Sequence, residues 1–395
     1  MDWKGKDWAL KGGYPQFSNK DLLELLKKIE MMGQRKLFPS KSGSLSLWLR
    51  ERTPDLFITL IGLVVALLAT IYVHFLTPPS LERHSKVVNI LAGTSFHEIS
   101  RVLEENGIVR DHRSFYLLAR IENAIPKVKA GEYELHTSMT PGDVLEKLIR
   151  GDVIKYPVTI PEGFNIYQIG EILDQAKVCS KEIFLEKTKD RDFIDALDLD
   201  GDSLEGYLFP DTYNFPKGFG EEQVIRQMVG RFKTVYASLS KRAEQLGLSR
   251  RDVVILASMI EKEARDDQDR RLISAVFHNR LNRGMALQSD PTAIYDLKKR
   301  KARNERITRQ DLLRKSPYNT YQILGLPKGP IANPGLRSLQ AVLYPADVNY
   351  LYFVSKNDRT HHFSSTLEEH NRAVARYQKK SKPEKKVEKG KEARS

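Results

Sequence analysis

Eight residues from Val253 to Ile260, VVILASMI, contain one polar side chain, Ser258, and the next residue is Glu261. An apolar run of that length belongs to a buried helix, with Ser249 as its N-cap and Asp252 completing a capping-box variant. A carboxylate at the inner end of such a helix is partly desolvated, and desolvation favours the protonated form. A carboxylic acid kept neutral near pH 7 can hand a proton to a leaving-group oxygen. Glu261 is therefore the first candidate for chemistry. The segment from Glu261 to Asp267 also reads as the solvated end of the helix. Glu263, two positions on, should leave the helix in another direction, toward solvent.

The whole chain limits what such an acid could serve. Its 395 residues have room for two or three domains. The net charge is +13, but residues 1–55 carry +4 and Lys379–Ser395 carry +5, which leaves +4 for the 302 residues from Thr77 to Gln378. The body is nearly balanced, and with no zinc-finger or RNA-binding signature a nucleic-acid partner is not expected. A single cysteine, Cys179, excludes an intrachain disulfide and any multi-cysteine metal site. No Gly-rich phosphate loop is present, and no cofactor or metal is expected.

Leu56–Leu76 is a 21-residue run whose only ionisable member is His74. At ~1.5 Å per residue it matches a hydrocarbon core of roughly 30 Å, so it reads as a single transmembrane helix. It is too long and too far from the N-terminus for a cleaved signal peptide, and Thr77-Pro78-Pro79 follows it. Lys36, Lys41, Arg50 and Arg52 precede the span within 20 residues, whereas Arg83 and Lys86 follow it. That bias favours a cytoplasmic N-terminus and an exported C-terminal part. Within the cytoplasmic segment one amphipathic helix is expected near Lys20–Met32.

After a tether ending at Lys86, a pattern repeats with period 70. Val88–Gly93 is followed by Ile99 and Leu103, and Val158–Gly163 by Ile169 and Leu173. Each copy reads as a short strand, a Gly turn and an amphipathic helix. A partial third copy is Tyr133-Glu134-Leu135 with Thr140-Pro141-Gly142 and a helix through Leu148. Such units occur in small glycan-binding modules, and equally as a plain way to bury one sheet face. Helices dominate from Phe184 to Gln378, broken by Tyr207–Tyr213 and by a Pro/Gly-rich stretch, Ser316–Gly335. Tyr350–Val354 reads as a late strand, and the tail from Lys379 as solvated.

Taken in order, several segments resemble one known family. They are Leu204–Tyr213, Ala257–Glu263, Val276–Leu281, Gly284–Thr292, Tyr318–Tyr321, Gly325-Leu326-Pro327, Ile331–Gly335, His362-Phe363 and His370-Asn371. Across about residues 85–375 the chain resembles the membrane-anchored endolytic murein transglycosylases, the MltG/YceG-like group. The resemblance implies an α+β chain: a transmembrane helix (56–76), a tether (77–86), a LysM-like module (87–157) and a mixed, mainly helical catalytic domain (158–378). It implies Glu261 as the essential acid/base. It also implies cleavage of MurNAc–GlcNAc bonds in nascent peptidoglycan to 1,6-anhydro ends, with termination of glycan elongation as the consequence. The implied setting is the plasma (inner) membrane, with the catalytic part outside the cytoplasm. The implied partners are glycan strands, the bilayer and peptidoglycan synthases or division and elongation proteins.

One acid suffices for that reaction, because the C6 hydroxyl of the same sugar is the nucleophile and carries a large effective molarity. Gln288, Ser289, Asp290 and Thr292 offer donors and acceptors for sugar hydroxyls. Tyr318, Asn319 and Tyr321 could stack on a glycan and bond to it. The alternative for all seven is that they only fix the loop. Glu205 and Asp211 read as supporting or structural, and His362 and His370 as sources of fold-stabilising hydrogen bonds. Two rivals stay open: a muramidase-type hydrolase using Glu261 and Asp290, and a non-catalytic wall-binding scaffold. A soluble lyase acting on a folate precursor conflicts with the span.

Overall fold

The computed structural model describes residues 45–295, 297 and 307–379. The helix expected near Lys20–Met32 and the tail beyond Lys379 lie outside the described residues. The chain divides between Thr77 and Pro78 into two units. The first contains α1 (Leu45–Ile71), which closes in a π-turn, Tyr72–Leu76. Phe57–Leu76 is long and apolar enough to cross a membrane, and its large side chains are exposed. Thr59, Thr70 and Thr77 donate their hydroxyls to carbonyls one turn back, and His74 pairs with the Thr70 carbonyl at 3.0 Å. These four polar side chains are thus satisfied by the helix backbone itself.

The second unit begins with β1 (Ser85–Ile90), α2 (Phe96–Glu105), α3 (His112–Ile121), β2 (Gly131–His136) and α4 (Pro141–Arg150). It continues with β3 (Tyr156–Thr159), α5 (Ile166–Gln175), α6 (Lys181–Lys187), α7 (Arg191–Ala196), β4 (Thr212–Phe215), α8 (Glu221–Ala237) and α9 (Ser240–Gln245). The last part comprises α10 (Arg250–Glu263), α11 (Asp267–Asn282), α12 (Asp290–Ile294), α13 (Arg309–Leu313), α14 (Leu336–Leu343), β5 (Tyr352–Ser355), β6 (His361–Ser364) and α15 (Leu367–Val374). The strands pair only as antiparallel ribbons: β1 with β2, β3 with β4, β5 with β6. Their registers run from Ser85 opposite His136 to Ile90 opposite Gly131, from Tyr156 opposite Phe215 to Thr159 opposite Thr212, and from Tyr352 opposite Ser364 to Ser355 opposite His361. Two-stranded ribbons are marginal alone, so helices must cover them.

Two buried clusters do this covering. One gathers Val88 and Ile90 of β1, Phe96, Ile99 and Leu103 of α2, Phe115 of α3, Tyr133 and Leu135 of β2, and Val144, Leu145 and Leu148 of α4. The other starts at Val158 and runs through Val342 and Leu343. The period-70 repeat is real at the level of packing: Ile99 and Leu103 on α2 and Ile169 and Leu173 on α5 are all buried. The tether is shorter than expected. Ser85 and Lys86 already pair in β1, and Thr137 donates to Glu82 O and accepts from His84 N, fastening the preceding residues to the end of β2.

α10 is the axis of the larger cluster. Its capping box forms as the sequence predicts: Ser249 accepts from Asp252 N, and the Asp252 carboxylate accepts from Ser249 N at 3.2 Å. Every residue from Val253 to Ile260 is buried. The one polar member, Ser258, donates to Ile255 O at 2.7 Å and accepts from Ile331 N at 3.1 Å, so the helix also anchors the long loop before α14. Nearby, buried Asn333 accepts from Gly206 N and Leu208 N, both at 2.9 Å, and donates to Phe164 O and Glu205 Oε1. Gly206 is required there: its φ is +90°, and a Cβ would come within 2.6 Å of Val254 and 2.7 Å of Pro330. Asn333→Ala would orphan two buried amides and take from Glu205 Oε1 one of its two donors. It should cost about 3 kcal/mol, read as a lowered midpoint in unfolding of the detergent-solubilised chain. An unchanged midpoint would refute this account of the junction.

Candidate active site

α10 ends at Glu263, and the chain turns into α11 with Asp266 as its N-cap. The two carboxylates on the last turn of α10 go different ways. Glu261 accepts the Gly335 amide at 3.1 Å and faces Arg270 Nη2 at 3.5 Å, its side chain only 6% exposed. Glu162 joins this corner: a Cβ on Gly335 would run into its carboxylate. Burial, and then the charge of Glu261, push Glu162 upward from the ordinary carboxylate range. The Glu261 oxygens are already taken by a cation and a backbone amide.

Glu263 was expected to reach solvent, and that is corrected. Ser289 Oγ donates to Glu263 Oε1 at 2.6 Å. The Glu263 carboxyl lines a cavity of about 440 Å³ together with Arg280, Gln288, Asp290, Tyr321, His361 and His370. Burial pushes this acid up to about 7; the Ser289 hydroxyl pulls it back down somewhat, and the charge of Asp290 adds to the rise. Near neutral pH it is therefore divided between its acid and base forms. A group balanced this way can both give and take a proton.

A knot of hydroxyls sets the cavity wall. Gln288 sits at φ +53°, and its amide donates to Thr320 O at 3.1 Å. Ser289 N donates to Thr320 Oγ1 at 2.9 Å, Thr292 Oγ1 to Ser289 O at 2.6 Å, and the Thr292 and Thr320 hydroxyls meet at 2.8 Å. The knot fixes Ser289 and with it the Glu263 carboxyl. Asp290 accepts from Tyr321 OH at 2.6 Å, which, after burial, helps raise the Tyr321 phenol.

Of the seven expected substrate-binding residues, Gln288, Asp290 and Tyr321 line the cavity. The other four take part in building the loop, the alternative reading of them. Ser289 serves Glu263, and Thr292 is buried in the knot. Asn319 donates to Leu312 O and Arg314 O and accepts from Tyr321 N. Tyr318 packs on Tyr295 with ring centroids 4.9 Å apart. Glu205 is structural: buried, it accepts from Ile166 N, Asn333 Nδ2 and Tyr295 OH. Asp211 takes Arg231 Nε at 2.8 Å at the surface.

The histidines also differ from expectation. It is His361 that bonds, to Asp269 at 2.8 Å. His362 has its ring 5.8 Å from Tyr377, and His370 stacks on Tyr352. Reading the sequence missed Glu263, Arg280 and His361. Glu263 had one legible signal, lying four residues after Met259 and seven after Leu256 on one helical stripe. Elsewhere, Glu104, Asp111 and His112 bring possible metal ligands within 4.8 Å of one another. Glu104 already pairs with His112 at 2.6 Å, and Asp111 caps α3 through Ser114 N at 2.8 Å, so the protein itself satisfies them.

An acid pushed upward by burial on the wall of a polar cavity, and steadied by a hydroxyl, is an arrangement able to support acid-assisted bond cleavage. The chain belongs to the YceG-like family, whose model matches residues 88–376. It is 34% identical over 317 residues to an endolytic murein transglycosylase of Bacillus subtilis (strain 168), a match covering 75% of this chain and 87% of that one. It is 31% identical over 320 residues to an endolytic murein transglycosylase of Streptococcus pneumoniae (strain D39), covering 73% of this chain and 58% of the relative. The match thus spans little more than half of the streptococcal protein. A crystal structure of a yceG-like protein from Listeria monocytogenes superposes with a TM-score of 0.51 at 33% identity, over 74% of this chain and all of that one.

The raised Glu263 carries a stability signature. The folded state holds this proton more tightly than the unfolded chain, so its contribution is full below about pH 4.5 and is lost as pH rises through about 7. Glu263→Gln removes the loss. The variant should gain up to about 3 kcal/mol over the wild type at pH 8, with little difference at pH 4, measured by unfolding at both pH values. A pH-independent difference would show that the carboxyl is not desolvated.

Proposed function

We propose that this chain is a membrane-anchored endolytic murein transglycosylase in which Glu263, not Glu261, is the acid. Family membership and the names of the relatives support the reaction class. One arrangement carries the residue: the Glu263 side chain stands on a cavity wall and takes the Ser289 hydroxyl, and burial pushes its carboxyl up to about 7.

In this reading protonated Glu263 gives its proton to the glycosidic oxygen between MurNAc and GlcNAc. The C1–O bond breaks, its electron pair leaves with the GlcNAc oxygen, and C1 becomes oxocarbenium-like. The C6 hydroxyl oxygen of the same MurNAc then bonds to C1, and the Glu263 carboxylate accepts the proton it releases. The products are a 1,6-anhydro end and a regenerated acid, with no water consumed. Intramolecular attack supplies the effective molarity that a second nucleophile would otherwise have to provide. Ser289 steadies the carboxyl throughout, while Gln288 and the Asp290–Tyr321 pair meet sugar hydroxyls. Glu261 has a structural part, tying the end of α10 to Arg270 and Gly335.

The rest of the reading concerns setting. Phe57–Leu76 would anchor the protein with its N-terminus in the cytoplasm, which puts the cavity on the murein side of the membrane. Residues 87–157, with their own buried cluster, would act as a LysM-like glycan-holding module before the catalytic domain at 158–378. Cutting nascent strands would end their elongation, and synthases or division proteins would be the natural companions.

One observation favours a second reading, a muramidase-type hydrolase: the charge of Asp290 reaches Glu263, so two carboxyl groups share the site. Mass spectrometry of released muropeptides separates the two, with anhydro ends expected and reducing ends supporting the hydrolase. Glu263→Gln should lower cleavage about a thousandfold while murein binding persists, and Glu261→Gln should stay within about tenfold of wild type. The reverse ranking would reject the assignment. The rate should also fall as pH rises through about 7, because the acid must enter the step protonated.

A further inference from the structure

The cavity holds a second ionised group that the proton transfer leaves unused. Arg280 of α11 is 7% exposed. Its Nε donates to Leu351 O at 2.7 Å, and its Nη1 to Ala286 O, Leu287 O and Gln288 Oε1 at 3.0, 3.1 and 3.2 Å. The guanidinium carbon lies 5.1 Å from the centre of the Tyr352 ring. Among the described residues no carboxylate stands within ion-pair distance of Arg280, and its Nη2 makes no hydrogen bond. His370 stacks on the same Tyr352 ring at 5.2 Å and lines the same cavity. Its Nδ1 is buried without a partner.

A cation out of water needs an anion, because neutral carbonyls orient it without cancelling its charge. The guanidinium is already locked by four acceptors and an aromatic face, so its remaining amino group costs little to order on a ligand. A carboxylate suits the vacancy: one oxygen can take Nη2 and the other an imidazole N–H. Sugar hydroxyls and acetamido groups are neutral. The anions of a murein strand are the carboxylates of its peptide stems.

We propose that Arg280 and His370 form a subsite for a stem-peptide carboxylate, so that the enzyme selects stem-bearing glycan over bare glycan. The proposal rests on the murein reading above. The test compares kcat/KM of the full chain in detergent on uncrosslinked stem-bearing strands, on strands of equal length stripped of stems with the freed lactyl carboxylates amidated, and on stem-bearing strands with amidated carboxylates. Wild type should prefer the first about tenfold or more over the other two. Arg280→Lys keeps the charge but not the fork, and His370→Phe keeps the stacking on Tyr352 but not the nitrogen. Each should bring the preference near one with its unfolding midpoint retained. If Arg280→Lys does not fold, His370→Phe decides alone. Equal cleavage of all three strands by wild type, or an undiminished preference in folded His370→Phe, would overturn the subsite. Cleavage of no strand by wild type would overturn the murein reading and the subsite with it.

Discussion

The burial of α10 on every side governs the second unit. A helix whose residues 253–260 are all enclosed has no solvent face on which to spend a carboxylate. When acidic residues come at its last turn, each must find a partner or lose its charge. Glu261 finds Arg270 and the Gly335 amide. Among the described residues Glu263 finds only the neutral Ser289 hydroxyl, while burial, with Asp290 adding like charge, pushes its carboxyl up to about 7. Two acids separated by a single lysine differ because of what packs around them, one set against a cation and an amide and the other against a hydroxyl.

The surrounding elements can be understood as serving that difference. The Ser258–Ile331 bond ties the loop before α14 to the helix, and Asn333 joins it to the Tyr207 turn and to Glu205. The Ser289–Thr292–Thr320 knot does the same on the cavity side. Both are hydrogen-bond networks closed within the protein, and closed networks hold a single geometry. The cost of the rigid wall is that Ser289, Thr292 and Asn319, which look suited to touching sugar, are consumed in building it. The polar and charged side chains left lining the cavity include Glu263, Asp290, Arg280, Gln288, Tyr321 and His370.

Much was legible from residue order. The 21-residue apolar span, the capping box at Ser249 and the period-70 strand–turn–helix repeat rest on interactions within a few residues, and all appear in the structure. The late strand appears as β5, one or two residues from its expected position. Errors of that size are normal where edges depend on pairing.

Amino-acid order alone determined that an acid would stand at the end of a buried helix, because apolar runs and caps are local properties of the chain. It also determined the apolar span and the near-neutral body. Which of Glu261 and Glu263 met a cation and which a hydroxyl was decided by tertiary structure. Spacing along a helix buried all round marks no preferred face, so the stripe of Leu256, Met259 and Glu263 did not by itself single out Glu263. Only the placement of Arg270, 9 residues along the chain from Glu261, and of Ser289, 26 from Glu263, set one carboxyl against a cation and the other against a hydroxyl. Arg280 gained its meaning the same way: a buried arginine beside an orphan imidazole exists only once α11 and α15 are brought to a common cavity.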